Sequence, residues 1–219
     1  MRILPCGQRG VLLELDDLAR VLALYGELRA RPPEGARRIS AGARTVLVEF
    51  DRPDRLESFH PDRLPTPPAT QSTVDDGSLV EIPVRYDGED LAEVARLTGL
   101  SEREVAARHA GGQYRVAFGG FTPGWGYLTG LDPALRLPRH ETPRVRVPAG
   151  SVAIADEFAG VYPRDSPGGW RILGRTGLAM WDPHRDPPGL LVPGARVRFI
   201  EQPAAAPPAP RLAARAPSA

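Results

Sequence analysis

GGFTPGWGYLTGLDPALRLPRHETPRVRVPAGSVAIADEFAGVYPRDSPGGWRILGRT, residues Gly119 to Thr176, decides how this chain folds. Of its 58 residues 17 are Gly or Pro, and the longest run free of both is Ser151 to Ala159. An interior Pro costs a helix about 3 kcal/mol and an interior Gly about 1, so no helix of ordinary length fits. Short strands joined by tight turns and rigid loops do fit. The same loops carry Tyr127, Arg139, His140, Arg144, Ser151, Tyr162, Asp165, Ser166, Trp170, Arg175 and Thr176. Loops dense in Arg and aromatic residues on a β scaffold are where binding and catalysis tend to sit. The site is expected there.

Outward from this stretch, the pattern on both sides is that of short strands. Downstream, Trp170 to Leu173, Leu178 to Trp181, Leu190 to Val192 and Arg196 to Glu201 read as strands. Upstream, Tyr114 to Phe118 leads into the Gly/Pro stretch, and Leu79 to Tyr86 is a strand whose Pro83 argues for an edge. Two helices lie between them: Asp90 to Leu97, ended by Gly99, and Ser101 to His109, opened by the capping-box pair Ser101 and Glu104. Residues 78–202 therefore predict a closed barrel of short strands.

The N-terminal 60 residues read differently. Gly10 to Leu15 is a buried strand, and Asp16 and Asp17 offer an N-cap. Leu18, Val21, Leu22, Tyr25 and Leu28 then fall on one helical face that ends before Pro32-Pro33. Arg37 to Ser40 and Thr45 to Phe50 are strands, and Pro53 to Phe59 is a short helix with Pro near its start. The order β-α-β-β-α predicts a small α/β sandwich whose last strand is hard to assign. Pro61 to Gly77, rich in Pro, Ser and Thr, reads as a linker. The tail, residues 203–219, has 13 Ala or Pro among 17 residues and is expected to be disordered. The fold class is α+β.

Composition narrows the function. The chain has 219 residues, 42% of them apolar and 25% charged, which is ordinary for a soluble globular protein. A net charge of +1 gives no electrostatic reason to expect nucleic acid or an anionic membrane. The single Cys6 excludes an internal disulfide, and the N-terminus lacks the apolar core of a signal peptide, so the cytoplasm is expected. The sequence contains no Lys and no Asn. P-loop, Schiff-base and protein-kinase lysine chemistry is excluded with them, and anions must be met by Arg or backbone N–H groups.

No familiar catalytic motif is present: neither H-E-x-x-H, nor a Cys cluster, nor G-x-S-x-G, nor a Walker A sequence. Four scattered histidines predict no metal site. His109 closes a capped helix, where it either complements the dipole or serves as an acid/base group by virtue of its pKa range. Arg139 and Arg144 bracket Glu141 and could clamp a carboxylate or phosphate, or pair with Glu141, Asp156 or Glu157. Ser151 either bonds a ligand or starts a strand. Ser166-Pro167-Gly168-Gly169-Trp170 is either a pocket wall with exposed N–H groups or a turn anchored by a core Trp. Gly120 to Leu128 (GFTPGWGYL) poses the same alternative, since its glycines permit close backbone approach.

The run Gly120-Phe121-Thr122-Pro123-Gly124-Trp125-Gly126-Tyr127-Leu128 resembles the G-F-x-P-G-F-x-Y-L signature of the family formed by the B subunit of 5-oxoprolinase. That family is also called allophanate hydrolase subunit 1, and it includes the sporulation kinase inhibitor KipI. Further matches are Thr142-Pro143-Arg144, Val147 to Val152, Gly160 to Pro163, Ser166 to Trp170 and Gly174-Arg175-Thr176. Phe158-Ala159 stands where the family often has Gln-Thr, and Gly7-Gln8 where it usually has Gly-Asp. The resemblance implies an N-terminal α/β domain and a C-terminal cyclophilin-like barrel of carboxyltransferase type. It implies partners too: a KipA-type C subunit resembling biotin-dependent carboxyltransferases, and the A subunit of 5-oxoprolinase. Such a complex uses ATP to open 5-oxo-L-proline to L-glutamate, and no cofactor is expected on this chain alone. Arg144 and Arg175 are expected to hold a carboxylate or phosphate, with His109 the acid/base group. Gly120, Phe121, Pro123, Tyr127, Arg139, Ser151, Ser166, Gly168, Gly169, Trp170 and Thr176 are expected to line the substrate. The alternative implied by the same resemblance is an inhibitor that binds a sensor histidine kinase.

Overall fold

The computed structural model describes residues 1–61, 64 and 78–203. Most of the expected linker, and the expected tail beyond Pro203, lie outside the described residues.

The first sheet has four antiparallel strands: β1 (Arg2–Cys6), β2 (Gly10–Glu14), β3 (Ala36–Ala41) and β4 (Thr45–Phe50), in the order β1-β2-β4-β3. Helix α1 (Leu18–Ala30) is capped by Asp17, whose carboxylate accepts from the Arg20 N–H at 2.8 Å. Val21, Leu24, Tyr25 and Leu28 of α1 pack on Val11, Leu13, Val46, Val48 and Phe50, which gives the sheet a core on one face. A short helix, α2 (Pro53–Glu57), follows β4. Sequence alone leaves the last strand of this unit unassigned; the missing strand is instead the first, β1, which precedes all the others. No β1 side chain is buried and Pro5 interrupts it, so it has no apolar alternation to read.

The second sheet has seven strands in the order β12-β9-β10-β7-β6-β13-β5. They are β5 (Leu79–Val84), β6 (Tyr114–Gly119), β7 (Gly126–Thr129), β9 (Ser151–Ala155), β10 (Phe158–Val161), β12 (Arg171–Arg175) and β13 (Arg196–Glu201). The end strands nearly meet. Arg85 and Arg175 exchange backbone hydrogen bonds at 2.9 Å in both directions, and Gly88 N–H donates to Leu173 at 3.0 Å. A Cβ on Gly88 would lie 2.3 Å from the Ile172 carbonyl oxygen, so this seam needs glycine. The barrel interior holds Ile82, Val84, Val116, Leu128, Val152, Ile154, Leu173 and Phe199.

Helices α3 (Leu91–Thr98) and α4 (Glu102–Ala110) cover the barrel. Gly99 ends α3 in the left-handed region, and Ser101 with Glu104 forms the expected capping box. Pro83 lies on the terminal strand β5, as an edge requires. Leu178 to Trp181 and Leu190 to Val192 are not strands. They form a loop joined by a single bridge, Trp181 to Gly189, because nearby prolines offer no N–H for a ladder. A separate two-stranded ribbon, β8 (Arg144–Val147) with β11 (Ser166–Gly168), lies against the outside of β9 and β12. Among the described residues no helix is long and apolar enough to cross a membrane.

Candidate functional site

The Gly/Pro stretch builds an aromatic layer on the outer face of the barrel. On β9, Val152 and Ile154 point inward, while Ala153 faces out with Ile172, Trp125, Val147 and Tyr162. The Trp125 ring is 4.8 Å from both Tyr162 and Trp170, edge to face, and 5.8 Å from Tyr127. Tyr127 stacks on Phe118 at 4.5 Å. Glycines make the layer possible: a Cβ on Gly160 would meet Trp125 at 2.9 Å, and one on Gly168 would meet the Tyr162 hydroxyl at 2.1 Å. Burial raises the pKa of Tyr127 and of Tyr162; for Tyr162 the Trp170 backbone and the Arg144 charge partly offset it.

Phe121 is the outermost ring. It is 58% exposed, and its φ of 54° is unusual for a residue with a side chain. With Gly120, Pro123, Trp181 and Leu191 it lines a groove of about 520 Å³.

Beside the layer lies a charge cluster whose centre is not among the expected site residues. Asp90, 4% exposed, precedes α3 but does not cap it. Its Oδ2 accepts from the Ile172 N–H at 2.7 Å, and its Oδ1 accepts from Arg144 Nη2 at 2.5 Å. His140 Nε2 is 3.4 Å from the same Oδ1, and Arg171 Nη1 is 2.8 Å from Glu93 Oε2. Arg144 thus pairs with Asp90, and more loosely with Glu89, rather than with Glu141, Asp156 or Glu157. Burial alone would lower the Arg144 pKa, but the Asp90 hydrogen bond and the charges of Asp90, Glu89 and Glu93 raise it overall. Asp90, Glu93 and His140 place three potential ligand atoms within 4.8 Å of one another. Arg144 and Arg171 already balance those carboxylates, which leaves little attraction for a cation.

The other expected residues divide between the rim and the core. Ser151 pairs with Arg175 across β9 and β12, and Arg175 faces Arg85, so the three share one rim. The Ser151 hydroxyl donates to the Pro148 carbonyl at 2.8 Å, and the Ser166 hydroxyl to that of Arg164 at 3.2 Å. Thr176 N–H donates to Gly150 at 2.8 Å, which makes it part of the strand end. The Gly169 carbonyl accepts from His140 N–H at 2.7 Å, and Gly168 pairs with Arg144 in the ribbon. Arg139 is exposed.

His109 stands apart, and the acid/base role expected of it is corrected. Its side chain has no solvent exposure, and its ring lies 4.4 Å from Phe199 and 5.4 Å from Tyr114. Nδ1 meets the Tyr86 hydroxyl at 2.7 Å, and burial lowers its pKa to about 3. Such a histidine is a neutral core residue.

A family model described as "Carboxyltransferase domain, subdomain C and D" matches residues 1–191. The chain belongs to this family. Within it, curated relatives named as the B subunit of 5-oxoprolinase bear out the resemblance read from the motifs. The protein from Escherichia coli O157:H7 is 50% identical over 127 residues, 57% of this chain and 58% of that protein. The one from Bacillus subtilis (strain 168) is 46% identical over 125 residues, 56% and 52% of the two chains. This carboxyltransferase-domain chain therefore matches a little over half the length of each. Among solved structures, TTHA0988 is 45% identical with a TM-score of 0.73, covering 93% of this chain and 42% of that one. The α+β fold with its barrel is the one expected.

Proposed function

We propose that this chain is the B subunit of an ATP-dependent 5-oxoprolinase, active only with its partner subunits. It lends the outer rim of its barrel to a composite site where 5-oxo-L-proline is hydrolysed to L-glutamate. A KipA-type C subunit and the A subunit complete that site, and the complex consumes the ATP. The observation that carries this reading is the 42–50% identity to proteins named as that B subunit.

The rim's chemistry supports a recognising role rather than a self-sufficient one. Ser151 and Ser166 give their hydroxyl protons to backbone carbonyls, so neither is activated by a base. The attacking group must come from elsewhere in the complex. The aromatic layer excludes water from one side of a small ring, and Arg175 offers a fixed cation at the rim. Backbone N–H groups at Gly168 and Gly169 would face the charge developing on the lactam oxygen. Arg144 acts through Asp90, locking the ribbon that carries these glycines.

The test is reconstitution. The chain is co-purified with its two partner subunits, and glutamate release from 5-oxoproline is followed with ATP present. ATP-dependent release that disappears when this chain is omitted is the expected result. Undiminished release by the two partners alone refutes the reading.

A further inference from the structure

Where the barrel closes, two arginines stand opposite each other with one carboxylate between them. The bridge that seals the seam sets Arg85 directly across from Arg175. Like charges in that register repel unless something negative lies between. Asp87 does, through one oxygen: its Oδ2 accepts from Arg175 Nη2 at 2.6 Å and Nε at 3.1 Å. Arg85 Nε lies 2.8 Å from the same oxygen, out of line for a hydrogen bond. Two guanidiniums share one carboxylate, so among the described residues the paired groups at the seam carry one more positive charge than negative. Glu89, the next acidic residue, turns toward Arg144 at 3.5 Å. Arg175 also borders a pocket of about 330 Å³, lined with it by Asp87, Gly88, Glu89, Ser151 and Gly174, while Arg85 stands across the seam bridge from it. Both glycines let the two strands close on each other, since a Cβ on Gly174 would lie 2.3 Å from the Arg85 carbonyl oxygen and one on Gly88 2.3 Å from that of Ile172.

We propose that Arg85 and Arg175 form a seat for a small carboxylate, and that Arg85 is a specificity-determining residue missing from the motif-based set. A bidentate carboxylate would complete the two forks, the arrangement guanidinium favours. This rests on the 5-oxoprolinase reading, in which the group seated is the ring carboxylate of the substrate. The seam then fixes the end of the substrate that does not react. Arg85 binds and orients; it transfers no proton.

The experiment compares Arg85→Gln and Arg175→Gln with the unaltered chain in the reconstituted complex, using 5-oxoproline and its neutral carboxamide. Loss of one charge-assisted hydrogen bond at the seat raises KM for 5-oxoproline about tenfold in either variant, with kcat within about twofold. The carboxamide is bound weakly by the unaltered complex, and neither variant changes its KM by more than about twofold, because it offers no anion to lose. Equal losses on both substrates, or an unchanged KM for 5-oxoproline in an active complex, overturn the proposal. If the unaltered complex releases no glutamate, the 5-oxoprolinase reading fails, and calorimetric titration of the full chain with 5-oxoproline and with acetate decides the seat separately. Binding that vanishes in both variants supports it; no binding, or binding indifferent to both, sinks it.

Discussion

The two sheets bury different things. The four-stranded sheet and α1 enclose an apolar core of Val11, Leu13, Leu24, Val46, Val48 and Phe50. The polar side chains buried among the described residues, Asp90, His109, Thr122, Ser151 and Arg171, all belong to the barrel part of the chain. Burying a polar or charged group is unfavourable unless its partners are in place. The first sheet can tolerate any well-packed apolar replacement. The barrel depends on particular partners at particular distances, and its outer rim is where that dependence gathers. The difference is why the proposed function is placed on the rim and the first sheet is read as its scaffold.

Asp90 is where that contrast breaks most sharply. Asp90→Ala strands Arg144 and the Ile172 N–H, and removing one partner of a buried ion pair lowers stability by about 3–5 kcal/mol. Urea unfolding of the full chain checks this, and a loss below about 1 kcal/mol would mean the cluster holds nothing together. Leu13→Ala in the first sheet is a pure cavity change of about 3 kcal/mol. Unlike Asp90→Ala, it should leave glutamate release by the folded complex unchanged. Gly168→Ala drives a Cβ into Tyr162, which lowers stability by about 2 kcal/mol and shifts near-ultraviolet circular dichroism from the aromatic layer.

Acid sharpens the comparison further. Burial lowers the His109 pKa from 6.5 to about 3, so the native state holds the neutral form. Its contribution is complete above pH 6.5 and declines as pH falls toward 3, by at most about 1.4 kcal/mol per pH unit. His109→Gln should remove that slope from unfolding free energies measured between pH 6.5 and 4, whatever it does to stability at pH 7. An unaltered slope would place the titrating group elsewhere. Phe121→Gly is the smallest effect: relief of the positive φ stabilises by up to about 1 kcal/mol, offset by the lost edge contact with Trp125.

Much of this was legible in the sequence. Thr45–Phe50 and Arg196–Glu201 have the bounds their alternation predicts, and the caps at Asp17 and Ser101 lie where the side chains ask for them. The absence of α-helix through the Gly/Pro-rich motifs was also legible, since their density of Gly and Pro leaves room only for short strands, turns and loops. Asp90 was not. An Asp before a helix reads as an N-cap, and its real partners, Arg144 and Ile172, lie 54 and 82 positions away. Arg85 looked like the end of a strand for the same reason. His109 misled because a pKa range says nothing about burial.

Local chemistry fixes what neighbours in the chain can do, so periodicity, caps and the ban on helix between Gly119 and Thr176 followed from the residues alone. Which distant groups meet depends on how the sheet curls and where its edges join. The pairing of Arg85 with Arg175, the neutral burial of His109 and the anchoring of Arg144 by Asp90 were therefore decided only when the barrel closed.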